Sequence, residues 1–477
     1  MITPETFARR REALADLLQT GLVLLRGHPR LPMNLPMNLT PARQSSHILY
    51  LTGLKETDCA VLFHVDSRRL EVFLPAHDPD DAVWHGPTPS RETLRAVLGA
   101  DAIHDLDRLE ARIAHYRSTE GVPIHTLPSA DPWWRRRMAA VGIDVPEFGG
   151  LDPHVPNPLA DALVQLRLKQ DEAGLNEMRE AAAISARAFD ACMRATRPGR
   201  REATIRALFE AGLRAEGVRP AYDPIVTVHG EILHCGANPN TLEEGRLLLV
   251  DAGAESPEGY ASDVTRTWPV GGRFTSAQRD VYQIVLDAQR AAVEDVEAGA
   301  EFKNLHLNAC RRMADGLRTL GILRGSLDEI IDRDAHALFF PHGLGHLIGL
   351  DVHDLEDLGD RAGYAPGRRR SKRFGLAWLR LDRPLEPGMV ITIEPGIYFI
   401  PALLESPERR EEYKSVVNFE RACNFLGFGG IRIEDDVLVT DGKADVLTAS
   451  IPKDIDALEE IVGEAGEAGV FGRTYAD

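Results

Sequence analysis

The chain has 477 residues, more than a single core comfortably accommodates, so two domains are expected. An apolar fraction of 44% and a charged fraction of 27% fit a globular protein in water, and a net charge of −18 argues against a nucleic-acid partner, which would require a basic face. No apolar run is long enough for a membrane span, the N-terminus lacks a signal-type apolar core, and five scattered cysteines without CxxC spacing read as reduced thiols, so the expected compartment is the cytoplasm.

Residues 5–18 have the periodicity of an amphipathic helix, and GLVLLRG, ILYLTG, CAVLFHV and LEVFLPA read as four short strands. That alternation predicts a mixed α/β domain over 1–155, ending in the Gly- and Pro-rich linker FGGLDPHVPNP at 148–158. Two helical segments follow, broken near Asp171, and EATIRALFEAGLRAEG predicts another helix closing on Gly217. A catalytic domain is expected over 156–461, followed by a flexible tail over 462–477.

Beyond Gly217 the pattern turns to strands that carry charge where burial is expected. LLLVDAG and YASDVTRTWPV flank the turn ESPEG, which sets Asp251 and Asp263 symmetrically about Pro257 and predicts that they face each other in a hairpin and share a metal ion. PHGLGHLIGLDVHD supplies His346, MVITIEPGIYF supplies Glu394, and GGIRIEDDVLVT supplies Glu434 with Arg432 on the same strand face. Four carboxylates and an imidazole in buried segments are costly unless positive charge compensates them, and two divalent cations would do so. Each alone has a bland reading as a turn former or a backbone-bonded histidine; the set of five in one chain does not. The oxygen-rich ligation suits Mn2+ first, with Co2+ or Zn2+ as alternatives, two ions roughly 3.5–4 Å apart activating a bridging water.

With these motifs the chain resembles the proline-specific branch of the pita-bread metallopeptidases, which contains prolidase (Xaa-Pro dipeptidase) and aminopeptidase P. The likeness spans about 160–450, and more weakly 1–150 through ARQSSHILYLTGLKETDCAVLF and DDAVWHG. It implies an α+β architecture: a C-terminal pita-bread (creatinase/aminopeptidase-like) catalytic domain behind a smaller mixed α/β domain. It implies that Asp251 chelates one ion, that Asp263 and Glu434 bridge both, and that His346 and Glu394 hold the other, with Glu394 also the general base. It further implies a homodimer. The loop between the two aspartates is one residue longer than the family's pattern.

A proline substrate offers no N–H at the scissile nitrogen, so a donor must protonate it as the bond breaks. The resemblance gives His234 and His353 contact with the substrate and its developing charge, and His342 a place in the pocket wall; each also has a structural reading. His229 matches no role and reads as structural. Arg432 either reaches the metal cavity or pairs with Asp435 or Asp436.

Arg380, 14 residues before Glu394, lies where prolidases carry an arginine for a dipeptide's C-terminal carboxylate, and a bidentate fork suits that anion. Arg383 competes for this role, and a surface arginine is the plain alternative. The basic loop 361–373 is expected to form a mobile rim drawing in anionic substrate ends. Tyr50 either offers an aromatic ring to the active site or sits in the core. The leading expectation is a dipeptidase acting on small peptides with proline second. The alternative is an Xaa-Pro aminopeptidase taking longer peptides, and more remotely a non-catalytic peptide-binding relative.

Overall fold

The computed structural model describes residues 2–35, 37–76, 83–84, 86–119, 121–149 and 155–464. Of segment 80–86, cited for the resemblance, residues 80–82 and 85 lie outside the described residues. Chain contacts divide the molecule into two units, Met1–Leu168 with Leu355–Ala362, and Lys169–Asp354 with Gly363–Asp477.

The first unit is built on five strands: β1 (Leu22–Arg26), β2 (Ala60–His64), β3 (Arg69–Leu74), β4 (Ala102–Asp105) and β5 (Ile124–Thr126). Their order is β4-β3-β2-β1-β5, antiparallel from β1 through β3 and parallel at both edges. The inward faces of these strands meet Leu109, Ile113, Trp134 and Met138 from two helices. ILYLTG, expected as a strand, is instead the helix Ser46–Thr52. Its residues are all buried, so the apolar run carries no periodicity to separate helix from strand. Gly53, in the left-handed region at φ 68°, closes it.

The division between units falls after Leu168 rather than at 155/156. The helix Pro158–Arg167 packs on the helix Pro4–Leu18, and Arg167 Nη1 meets His47 Nδ1 at 2.9 Å. His47 Nε2 lies 2.8 Å from Asp357 Oδ2, which fastens segment 355–362 to the same unit.

The second unit layers long helices over three small sheets. The helices Glu172–Ala195 (capped by Asp171), Glu202–Ala215, Ser276–Glu294 and Phe302–Thr319 bury one apolar face each. The sheets are β6 (Ile225–Thr227) with β7 (Leu247–Ala252) and β8 (Val264–Pro269); β9 (Val390–Ile393) with β12 (Asp435–Leu438) and β13 (Asp445–Val446); and β10 (Gly396–Tyr398) with β11 (Gly430–Arg432). From the expected flexible tail, Val462 is buried and Gly463 N–H donates to Met193 O at 3.1 Å; residues 465–477 lie outside the described residues.

A wholly buried ion pair joins two of the sheets. Arg266 on β8 and Asp435 on β12 are both wholly buried, with Arg266 Nη2 donating to Asp435 Oδ1 at 2.7 Å. The guanidinium also donates to the carbonyls of Pro452, Thr265, Glu434 and Ile451. Lys453, Gln289 and Thr448 also donate to Asp435. Breaking a buried pair from one side leaves an uncompensated charge. Arg266→Met should therefore lower unfolding free energy by about 3–5 kcal/mol, measured by urea denaturation.

Candidate active site

The second unit encloses a cavity of about 610 Å3 lined by Asp251, Asp263, His346, Glu394 and Glu434, by His234, His342 and His353, and by Arg380 and Arg432. Each acid is delivered by backbone that the surrounding strands hold.

Asp251 lies near the end of β7 and Asp263 directly before β8. The ladder pairs Ala252 with Val264 and, past the strand ends, Glu255 with Ala261. The hairpin is therefore centred on Glu258, one residue beyond Pro257, and Asp251 faces Thr265. The aspartates are not opposite each other but diagonal neighbours, two register positions apart on one face. The expected symmetry fails because the chain turns one residue later, at Ser256–Tyr260. Gly253 makes the approach feasible: a Cβ there would lie 1.7 Å from Ser262 O.

His346 is clamped to Thr392, donating its N–H to Thr392 Oγ1 at 3.1 Å and accepting Thr392 N–H at 2.9 Å. Its Nδ1 faces Leu347 O at 3.0 Å, which turns Nε2 towards Asp263 Oδ2 (3.4 Å) and Glu394 Oε1 (3.8 Å). Glu394 follows β9 and donates its N–H to Leu344 O at 2.8 Å. Glu434 sits between β11 and β12, its N–H on Thr265 O at 3.0 Å and its Oε2 accepting from Thr265 Oγ1 at 2.6 Å. One ligand atom each from Asp263, His346 and Glu434 fall within 4.8 Å of one another.

Arg432 is the guanidinium that answers these charges. It donates to Asp251 Oδ2 at 2.5 Å, to Tyr398 Oη at 2.9 Å and to Thr265 Oγ1 at 3.0 Å. The pairing with Asp435 or Asp436 is thereby replaced: Asp435 belongs to Arg266, and Asp436 Oδ2 accepts Asp263 N–H at 3.0 Å. One guanidinium does not neutralise four acids. Burial pushes Glu394 up to about 7, and burial with the neighbouring Asp263, Glu394 and Asp251 charges holds Glu434 well above the carboxylate range. Burial also raises Asp251 despite Arg432. His346 shows the same deficit from the other side: burial disfavours its charge, yet Asp263 and Glu394 lift it to about 9. The cluster lacks positive charge, and a pair of divalent cations would supply it.

Residues 176–441 match metallopeptidase family M24, and residues 7–124 match the aminopeptidase P N-terminal domain. The chain belongs to metallopeptidase family M24. It is 33% identical, over 88% of each chain, to a probable Xaa-Pro aminopeptidase of Neosartorya fischeri. It also resembles the solved Pseudomonas aeruginosa aminopeptidase PepP, with 30% identity, coverage of 97% of this chain and 98% of that one, and a TM-score of 0.77. Zinc-substituted Escherichia coli aminopeptidase P in complex with product is 28% identical, with 98% and 100% covered and a TM-score of 0.79. The protein is thus a metallopeptidase of the proline-directed, pita-bread branch. Divalent metal is implied by the family, and the donor set above fits it.

Within this M24 site, four further side chains contribute that no sequence motif singles out. Tyr222 brings its hydroxyl 2.6 Å from Asp251 Oδ1 and also onto Asp263 Oδ1, spanning the two aspartates. Thr265 serves both Glu434 and Arg432. Tyr398 links Arg432 to His342 Nε2 at 2.8 Å. Asp436, buried behind Asp263, is held well above the usual carboxylate range, by burial first and the Asp263 charge second. Only the EDD run hints at any of these: alternation sends Glu434 to the cavity and Asp435 into the core.

His342 is kept neutral, its pKa lowered to about 3 by burial and by Arg432, and its Nδ1 faces Gly343 O at 2.8 Å. His353 stacks edge-on against His346 with centroids 4.2 Å apart, and His234 is exposed at the cavity wall. Arg380, not Arg383, lines the cavity; Arg383 pairs with Glu386 at 3.5 Å. His229 pairs with Glu231 at 3.0 Å, outside the lining. Tyr50 is a buried residue of the first unit, under the Arg10 guanidinium at 4.4 Å, its hydroxyl donating to Leu166 O at 3.2 Å. The basic loop is pinned: Arg368 binds Glu301 and Asp382, and Arg373 binds Asp334. Those two arginines are engaged by partners of the fold, while Arg369 and Lys372 of the same loop are exposed.

The pKa shifts set a pH dependence for the cation-free protein. A raised folded pKa contributes stability that is lost as pH climbs through it, and His346 (about 9) and Glu394 (about 7) both act in that direction. His342, lowered to about 3, has completed its opposite contribution by pH 6.5, its ordinary value. Chelated protein should therefore melt at a lower temperature at about pH 9 than at about pH 7. Saturating Mn2+ should remove most of that difference in calorimetric scans.

Proposed function

We propose that the chain is an Xaa-Pro aminopeptidase, removing the first residue from peptides whose second residue is proline. The observation that carries this reading is the similarity to probable Xaa-Pro aminopeptidases, which runs over 88% of both chains and so covers both units. Asp251, Asp263, His346, Glu394 and Glu434 would hold two divalent ions, with Mn2+ as the proposed metal and Co2+ or Zn2+ as alternatives for an oxygen-rich set. Such ions, when bound, supply Lewis acidity and a nucleophile at neutral pH.

The chain's own residues then have distinct tasks. Glu394, held near neutrality by burial, suits a group that takes a proton from the attacking water and returns it to the proline nitrogen. His353, packed on His346, and His234, on the exposed wall, are proposed to contact the substrate and the charge that develops on it. Arg432 keeps Asp251 oriented, and the Tyr398 hydroxyl carries that order to His342. His342, uncharged, is proposed as pocket wall for the substrate. Trp378 and Ile225 add apolar surface on which a proline ring can rest. A homodimer is proposed from the family resemblance.

The dipeptidase reading keeps one specific support, the presence of Arg380 in the cavity lining. Against it, Escherichia coli aminopeptidase P, 28% identical, has been solved with the inhibitor Pro-Leu, in which a residue follows the proline. Mass-spectrometric product analysis with Mn2+-loaded enzyme separates the two. Xaa-Pro-Xaa peptides should release the first residue with kcat/KM at least equal to that for Xaa-Pro; turnover confined to the dipeptide would overturn the aminopeptidase reading. Arg380→Ala should leave tripeptide kcat/KM within a few-fold, whereas loss of a carboxylate clamp would reduce dipeptide cleavage roughly 10- to 100-fold.

A further inference from the structure

A second group of metal-type donors lies in the same unit and takes no part in the site above. His306 and Cys310 stand one turn apart on the helix Phe302–Thr319, and His336 lies in the short 3-10 turn Ala335–Leu338. One nitrogen of each imidazole and the thiol sulfur fall within 4.8 Å of one another, and all three side chains are buried. We propose that His306, Cys310 and His336 bind one zinc-class ion as a structural site bracing the wall of the catalytic cavity.

The hydrogen bonding points to a ligand. Among the described residues, His306 Nδ1 has no hydrogen-bond partner and neither His336 nitrogen makes a bond of good geometry, the Ile330 backbone being its nearest partner, while Cys310 Sγ lies 3.5 Å from His306 Nε2. Orphaned nitrogens at this depth are uncommon and costly. Burial keeps both imidazoles neutral, at about 4, which is the ligating form. Zinc bonds of roughly 2.0–2.3 Å put tetrahedral donors roughly 3.3–3.7 Å apart, so modest side-chain adjustment closes the present spacing. The surroundings are shaped to this end. A Cβ at Gly375 would lie 2.9 Å from His336 Nε2, so only glycine lets that loop reach the cluster, where its carbonyl lies 3.1 Å from His306 Nε2. Asp334, fastened by both its oxygens to Arg373, holds the turn in a left-handed conformation at φ 57° that a non-glycine residue rarely adopts.

The position suggests what the ion would do. The 3-10 turn leads within a few residues to His342, and the Phe340 ring lies between the two histidines, 5.7 Å from His306 and 4.6 Å from His342. The loop carrying Gly375 continues to Trp378 and Arg380 of the cavity lining. One ion would tie the helix, the turn and that loop together. Binding forms a sulfur–metal bond and releases the Cys310 proton to solvent.

The test uses Co2+ on full-length protein stripped of metal with a chelator. No cysteine is among the residues lining the catalytic cavity, so the part of the near-ultraviolet thiolate-to-cobalt charge-transfer absorption that depends on Cys310 reports this cluster. The expected result is a saturable band in wild type and in the control Cys423→Ser, lost in Cys310→Ser and requiring at least tenfold more Co2+ in His336→Asn. Circular dichroism of the chelated variants checks folding. Should Cys310→Ser fail to fold, His306→Gln and His336→Asn carry the comparison. No band in wild type at saturating Co2+, or a band unchanged in every cluster variant, would overturn the proposal.

Discussion

Mutual repulsion among buried carboxylates is the constraint around which the second unit is organised. Asp251, Asp263, Glu394 and Glu434 face one cavity, and in water each would stay ionised independently. Buried together, three of them are pushed towards the protonated state, while Asp263 is kept ionised against the cost of burial, chiefly by His346. A protein does not sustain such an arrangement by packing alone. Arg432, the Tyr222 hydroxyl and the Thr265 hydroxyl hold the acids in place, but they do not cancel the charge. The residual field is what draws divalent cations, and it makes metal binding and the stability of this unit two aspects of one equilibrium.

Holding that geometry requires backbone segments to approach more closely than side chains permit. Gly253 lets the two strands of the aspartate hairpin meet, and Gly345 lets the His346 segment lie on β9, where a Cβ would come within 1.9 Å of Thr392 O. Behind them, the Arg266–Asp435 pair fixes β8 against β12, so that Thr265 and Glu434 are bonded through both backbone and side chain. Asp251 lies within a strand and the other donors sit directly beside strand ends or on a segment bonded to β9, which limits how far they can move as charge changes.

The parts of this arrangement that can be read from sequence are those whose chemistry is unusual for their setting. Acids at the ends of apolar runs stand out whatever their three-dimensional neighbours, so the five candidate ligands are legible, as is the shared face of Arg432 and Glu434. The illegible parts depend on distance in space. Tyr222 and Thr265 are ordinary residues in ordinary segments, and nothing local marks their hydroxyls as bridges between acids. The hairpin centre shifts by one residue because a turn's register depends on which hydrogen bond closes it. ILYLTG forms a helix where a strand is expected because a fully buried run has no polar face to set a period. The basic loop is legible only in part for a related reason: nothing local shows that Arg368 meets Glu301 and Asp382 or that Arg373 meets Asp334.

Substrate length is decided by a balance of a different kind. On the proposed reading, metal held by these acids would act at the scissile bond and be indifferent to any residue after the proline, so discrimination would come from groups beyond it. Arg380 lies in the cavity wall beside the exposed Trp378, on the loop that Gly375 anchors. An arginine there rewards a terminal carboxylate only if it is held where that carboxylate ends, because a guanidinium free to turn aside accommodates a longer chain at little cost. On the proposed reading, how firmly this loop holds Arg380 is what would separate a dipeptidase from an aminopeptidase. That rigidity is also what an ion at His306, Cys310 and His336 would control.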